Sequence, residues 1–301
     1  MSTKVAEVEG ARLTLTNLDK DLYPSYGFTK AHILEYYRRI SPFCLPHLKD
    51  RALTLKRYPD GVGKEFFYEK RCPSHRPSWV KTAKIPRDNG ERMTVCLVND
   101  LNTLIWVENL ASLELHVPLA RAHSPETPDS MVFDLDPGDG ADILDCGRVA
   151  LIIKALLKEL RLACCLKTSG QKGLHVLVPL NSREVTFEDT KKFSRSVAEV
   201  LQRSYPDLVT ARMGKEEREK RVFINWSQND PSKTMVCVYS LRAREKPVVS
   251  FPVAWEELEN ALDEGNPRRL QFLHSEALSR AEKQGDLFRE VLVKNQKLPY
   301  L

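Results

Sequence analysis

A short apolar run, Met131-Val132-Phe133, leads into Asp134-Leu135-Asp136 and is closed by a Pro137-Gly138 turn. Successive side chains of a strand alternate faces, so Asp134 and Asp136 project side by side from one face. Two carboxylates held that close repel, and burial sharpens the repulsion; a divalent cation relieves it. Such a strand end suits Mg²⁺ or Mn²⁺ and the phosphoryl-transfer chemistry that uses them. Taken alone, the pair also fits a solvated Asx turn, so the rest of the chain must decide.

Around this pair the pattern alternates strands and helices. A helix is expected over 29–40, where Thr29 caps and Ile33, Tyr36, Tyr37 and Ile40 share one face. Residues 131–136 read as a strand. Residues 145–161 read as a helix with Val149, Ile152, Ile153, Leu156, Leu157 and Leu160 at helical spacing. Strands follow at 164–168 and 174–180, then a helix at 187–204 with Phe193, Val197 and Val200/Leu201 inward. Strands fit 221–225 and 234–239, and two helices fit 254–263 and 268–294. This order predicts an α+β fold around the Asp pair. Loops are expected at 85–92, at 123–130, where two lobes could join, and at the charged stretch 213–220.

The 301 residues are 42% hydrophobic and 29% charged, ample for a core. A net charge of +5 permits nucleic-acid binding without indicating it. Seven cysteines are scattered with no zinc spacing, so reduced thiols are expected, and the lone Cys72/His75 pair is not expected to bind metal. No leader pattern opens the chain and no apolar run is long enough to span a bilayer, so no membrane partner and a cytoplasmic protein are expected.

Between the strands at 164–168 and 174–180 lies Ser169-Gly170-Gln171-Lys172-Gly173-Leu174-His175. Its glycines let main chain approach a ligand, while Ser169, Lys172 and His175 supply a hydroxyl, a fixed charge and an imidazole. Together they could hold a triphosphate. The spacing is not that of a Walker loop, and alone the turn fits a plain glycine hairpin equally well.

Three segments then align: FDLDPG at 133–138, SGQKGLH at 169–175, and VFINWSQN at 222–229 followed by YSLRAR at 239–244. In this order they resemble the polymerase domain of the prokaryotic DNA ligase D family, within the archaeo-eukaryotic primase superfamily. LTNLDKDLYP (15–24), LKRYPDGV (55–62), EFFYEK (65–70) and LELHVP (113–118) extend the likeness over nearly the whole chain. The resemblance implies one primase-polymerase domain over 1–301, with an RRM-like core of mixed and antiparallel sheets flanked by helices. Its expected parts are a DNA-binding stretch over 1–122, a catalytic core over 131–250 and C-terminal helices over 251–301. It implies nucleoid association and template-directed nucleotidyl transfer in non-homologous end joining, with two Mn²⁺ or Mg²⁺ ions. NTP or dNTP, DNA ends, gapped duplex with a 5′-phosphate, an ATP-dependent DNA ligase and Ku are the implied partners.

By the same resemblance Asp134 and Asp136 bind metal. Ser169, Lys172, His175, Arg242 and Arg244 hold the triphosphate, and His116 lies near the sugar and primer terminus. Lys20 and Lys30 take the 5′-phosphate of the downstream strand; Lys30 opens a predicted helix, whose N-terminus attracts phosphate. Lys56 and Arg57 contact phosphate. Phe66 and Phe67 stack on a template base, although strand alternation would turn one of them inward. Arg218 comes from the loop 213–220, and the loop 85–92 brings DNA ends together.

One position departs from the family pattern. Asn225 stands where the family carries a third metal-binding Asp, and its neutral carbonyl is a weaker ligand for a hard cation. The expectation is a chain that binds nucleotide, metal and DNA but transfers nucleotides poorly, unless Asp230 substitutes. A de novo primase and a non-catalytic end-bridging module are the rival readings.

Overall fold

In the computed structural model, residues 3–86 and 90–299 are described. They form two compact units, each assembled from three stretches of chain. The first comprises Met1–His123, Thr234–Ser250 and Leu273–Asp286; the second comprises Ser124–Lys233, Phe251–Phe272 and Leu287–Leu301.

The fold is mixed α+β, as expected. In the second unit a six-stranded sheet runs in the order Val209–Thr210, Val222–Ile224, Ser130–Pro137, Leu174–Pro179, Cys165–Thr168, Pro252–Val253. Only the first pairing is parallel; the others are antiparallel. Ser130–Pro137 is thus a central strand. Its Phe133 and Leu135 are fully buried on the face opposite the Asp pair, which holds the register, since a one-residue slip would drive the carboxylates into the core. The helices Ile143–Glu159 and Phe187–Ser204 pack on this sheet and bury Val149, Ile153 and Leu157 from one, Phe193, Val197 and Leu201 from the other. Val200, expected inward with Leu201, is exposed.

The first unit centres on a four-stranded sheet, Met235–Val236, Ser112–Val117, Thr54–Arg57, Phe67–Glu69, and on the helix Lys30–Leu48. That helix continues past the expected stop at residue 40 and through Pro42 and Pro46. Pro42 cannot donate to the Arg38 carbonyl, but the Ser41 hydroxyl donates to it instead, at 2.9 Å.

Other expectations are corrected. The strand over 234–239 shrinks to Met235–Val236, because Tyr239 adopts a left-handed backbone (φ 66°) that ends the extension. The single helix over 268–294 is broken into a 3₁₀ turn at Pro267–Leu270, a strand at Phe272–Leu273, the helix His274–Gln284 and a short helix at Glu290–Val293. Gly285, at φ 76°, ends His274–Gln284. The loop over 85–92 is instead the end of a hairpin between Thr82–Pro86 and Arg92–Cys96; residues 87–89 lie outside the described residues. Among the described residues no helix is long and apolar enough to cross a membrane.

The expectation of seven free thiols is overturned as well. Cys72 and Cys96 form a disulfide, with their Cα atoms 4.9 Å apart. Cys72 pairs with the hairpin strand through its backbone N–H to Thr94 O at 2.9 Å, which brings together two cysteines that the sequence spaces 24 residues apart. His75 lies beside the Trp106 ring. Closing a loop of this length stabilises a fold by about 3 kcal/mol through the unfolded chain. Replacing both cysteines with serine is expected to lower denaturant stability by about that amount, and urea unfolding of variant and parent checks it.

Candidate active site

In the second unit, strand register assembles a row of polar side chains across three paired strands. Asp134 pairs with His175, His175 pairs with Lys167, and the Asn225 N–H donates to Asp134 O at 2.8 Å. Lys167, His175, Asp134 and Asn225 therefore lie side by side. His175 Nε2 is 3.2 Å from Asp134 Oδ1, and Asn225 Nδ2 donates to Asp134 Oδ2 at 3.0 Å.

These neighbours set the charge of the pair. Burial raises the Asp134 carboxyl, but His175, the Asn225 amide and the Lys167 charge outweigh it and hold the group below its ordinary range. Asp136 has no such support. Burial, then the charge of Asp134, push it up to about 7, against a small opposing effect of Arg218. At neutral pH Asp136 is therefore shared between its protonated and ionised forms. The donor set fits a hard divalent ion at Asp134 and Asp136. The third position does not add a carboxylate: Asn225 turns its amide nitrogen to Asp134, and Ser227 Oγ donates to its carbonyl oxygen at 2.7 Å. Asp230 is held elsewhere, by Lys191 Nζ at 2.8 Å.

The turn over 169–173 is folded around Ser169, whose hydroxyl oxygen accepts the N–H groups of Gln171 and Gly173 at 3.2 and 3.1 Å. The Ser169 oxygen is thus engaged by its own turn, while Lys172 is exposed. Gly173 is required by contact: a Cβ there would overlap the Leu135 carbonyl oxygen. Arg218 lies in a 3₁₀ turn, Lys215–Arg218, with its guanidinium 3.9 Å from the Phe223 ring centre; Phe223 is the strand partner of Asp136.

The first unit carries a separate cluster. Glu114 is fully buried. It accepts from His116 Nε2 at 2.8 Å and from the Ala243 N–H at 3.1 Å, with Arg242 Nη1 at 3.2 Å and Lys56 Nζ at 3.6 Å. Burial raises its carboxyl, but His116, Arg242 and Lys56 bring it down to about 2. Burial also lowers His116, beyond what Glu114 restores.

Phe66 and Phe67 are 49% and 44% exposed, so the expectation that one turns inward is wrong. Phe66 precedes the strand Phe67–Glu69, and that strand is an edge. Lys56 Nζ sits 4.2 Å from the Phe66 ring centre and Arg57 Cζ 5.0 Å from that of Phe67. Tyr68, 55% exposed, and Tyr58 extend the aromatic patch. Arg57 also bonds Glu69 at 3.0 Å.

Lys30 is buried at the start of its helix and donates to Thr16 O at 2.7 Å and Thr16 Oγ1 at 3.3 Å. Burial, with the charges of Arg57 and Lys20, lowers it to about 8. Lys20 pairs with Asp60 at 2.7 Å. Arg244 is half-buried beyond the Leu241–Arg242 strand.

Sequence reasoning missed Lys167, Glu114 and Ser227. Lys167 alone left a signal, a lone charge inside a short apolar strand.

The family model described as "LigD, primase-polymerase domain" matches residues 29–288, and the chain belongs to that family. It is 40% identical over 278 residues to the multifunctional non-homologous end joining protein LigD of Mycolicibacterium smegmatis, covering 92% of this chain and 35% of that protein. It is 32% identical over 274 residues to the bifunctional non-homologous end joining protein LigD of Bacillus subtilis, covering 91% of this chain and 43% of that one. The chain thus spans less than half the length of these relatives. A solved structure, the polymerase domain of Mycobacterium tuberculosis ligase D in complex with DNA, matches with a TM-score of 0.87 at 36% identity, covering 95% of this chain and 99% of that chain.

Because Asp136 must lose its proton to take a cation, Mn²⁺ affinity is expected to rise roughly tenfold between pH 6 and pH 8. The metal-free second unit is expected to lose stability as pH climbs from the ordinary carboxylate range through about 7, since the folded state favours protonated Asp136. Calorimetric Mn²⁺ titration and thermal melts at the two pH values check both; flat profiles are the contrary result.

Proposed function

We propose that this chain is a template-directed polymerase domain of end-joining DNA repair that fills gaps and extends 3′ ends, with catalysis weakened at Asn225. The observation that carries this is the Asp pair on the central strand Ser130–Pro137, one member of which is pushed up to about 7 by burial and then by the charge of the other. Asp134 and Asp136 would hold the divalent-cation site, Mn²⁺ or Mg²⁺; in a two-ion arrangement such ions would lower the pKa of the primer 3′-hydroxyl and neutralise the departing pyrophosphate, and the second ion would be the weakly held one here. Asn225 stands at the third position. His175 orients Asp134. Lys172, Arg242 and Arg244 supply charge to the triphosphate as it develops negative charge, and Ser169 shapes the turn that presents Lys172. His116, fixed by Glu114, serves the sugar and primer end.

Phe66 and Phe67, with Lys56 and Arg57 beside them, suit stacked bases and their phosphates; each stacked base contributes about 1–3 kcal/mol. Lys20 and Lys30 take the downstream 5′-phosphate, and Arg218 attends the strand end. A ligase and Ku are the partners this role requires.

Two measurements test the reading. Asn225→Asp is expected to raise primer extension on a gapped, 5′-phosphorylated duplex with Mn²⁺ on the order of 100-fold, the scale of one transition-state electrostatic partner; no gain removes the catalytic account. The preference for a 5′-phosphate over a 5′-hydroxyl gap is expected to shrink between pH 7 and pH 9.5, because Lys30 loses its charge above about 8. Fluorescence anisotropy at constant salt reads this, and a preference that stays constant removes Lys30 from the phosphate site.

A further inference from the structure

The Asn225 side chain is held by a hydrogen-bonded relay. Lys233 Nζ donates to Ser227 Oγ at 2.7 Å. Ser227 Oγ donates to Asn225 Oδ1 at 2.7 Å, and Asn225 Nδ2 donates to Asp134 Oδ2 at 3.0 Å. The direction of this relay is set at its Asp134 end and matched at the other. Lys233, which only donates, occupies one of the two Ser227 lone pairs, and the hydroxyl donates its proton to Asn225. An ionised carboxylate only accepts, so Asp134 requires the NH₂ side of the amide. Turning the amide over would set its carbonyl oxygen against the Asp134 carboxylate and leave the Ser227 proton facing N–H groups. Orientation of an amide follows from its hydrogen-bond network, and here Asp134 sets the orientation and Ser227 matches it.

We infer that Ser227 and Lys233 are positioning residues that lock the Asn225 amide with its nitrogen toward Asp134, and so withhold its oxygen from a cation. The Asp pair then holds one divalent ion firmly, and the second ion lacks its protein ligand. The inference rests on the metal-binding role proposed for Asp134 and Asp136. It moves the reason for weak catalysis from the poor ligand strength of an amide to the way that amide is held. An amide with a free choice would offer its oxygen when a cation arrives; this one gives up its bonds to both Ser227 and Asp134 on turning.

The test is Mn²⁺ binding to the whole chain, without nucleotide, followed by electron paramagnetic resonance. The parent is expected to bind one Mn²⁺ and Asn225→Asp two. Ser227→Ala and Lys233→Met release the amide and are expected to gain a second site, at least about tenfold weaker than that of Asn225→Asp. Ser227→Thr and Lys233→Arg keep the donors and are expected to retain the parent's single site, which separates orientation from general damage. Circular dichroism verifies folding, and if Ser227→Ala unfolds, Lys233→Met carries the comparison. A second site in the parent, or relay variants that bind as the parent does, overturns the inference alone. No Mn²⁺ bound by any variant, Asn225→Asp included, overturns it together with the metal site beneath it.

Discussion

Like charges on one face of a buried strand set the electrostatics of the second unit. Alternation places Asp134 and Asp136 together, and the paired strands around them leave little solvent to screen the repulsion. The unit resolves the conflict asymmetrically. Asp134 is given His175, the Asn225 amide and the nearby Lys167 charge, and stays ionised. Asp136 is given none of these and is pushed up to about 7. The cross-sheet row is what makes the pair unequal, and an unequal pair is a site with an unmet demand for positive charge.

The first unit handles charge differently. Glu114 is buried among basic partners, so the fixed charges of Arg242 and Lys56 and the ring of His116 are arranged about one inner carboxylate. Side chains that would otherwise sample many rotamers are held in place before any ligand arrives, which lowers the entropic penalty of binding. The aromatic patch beside Lys56 and Arg57 combines flat apolar faces with cations, as suits bases and phosphates.

Much of this was legible in the sequence where periodicity and local chemistry agree. The helix over 187–204 appears with those bounds, and the buried face of Lys30–Leu48 is the expected one; on Ile143–Glu159, Val149, Ile153 and Leu157 are buried as expected, whereas Ile152, Leu156 and the capping Leu160 are half-buried. The Asp pair and the glycine turn were visible because their residues are close in the chain. Features that depend on distant strands were hidden. Lys167 joins the row only through its pairing with His175. The Cys72–Cys96 link depends on a hairpin that carries Cys96 back to Cys72. Glu114 gains its meaning from Arg242, which lies far along the chain. The C-terminal helix is interrupted by the strand Phe272–Leu273, which pairs with a distant strand, and again at the left-handed Gly285, and the outward turn of both Phe66 and Phe67 depends on the edge position of their strand.

The contact of Gly173 with the Leu135 carbonyl has a mechanical consequence. Leu135 lies between the two acidic residues, so the glycine turn is seated directly on the main chain that carries them. The spacing between the turn's main chain and the Cα atoms of Asp134 and Asp136 is therefore a backbone dimension, and any side chain larger than hydrogen at residue 173 would force it open.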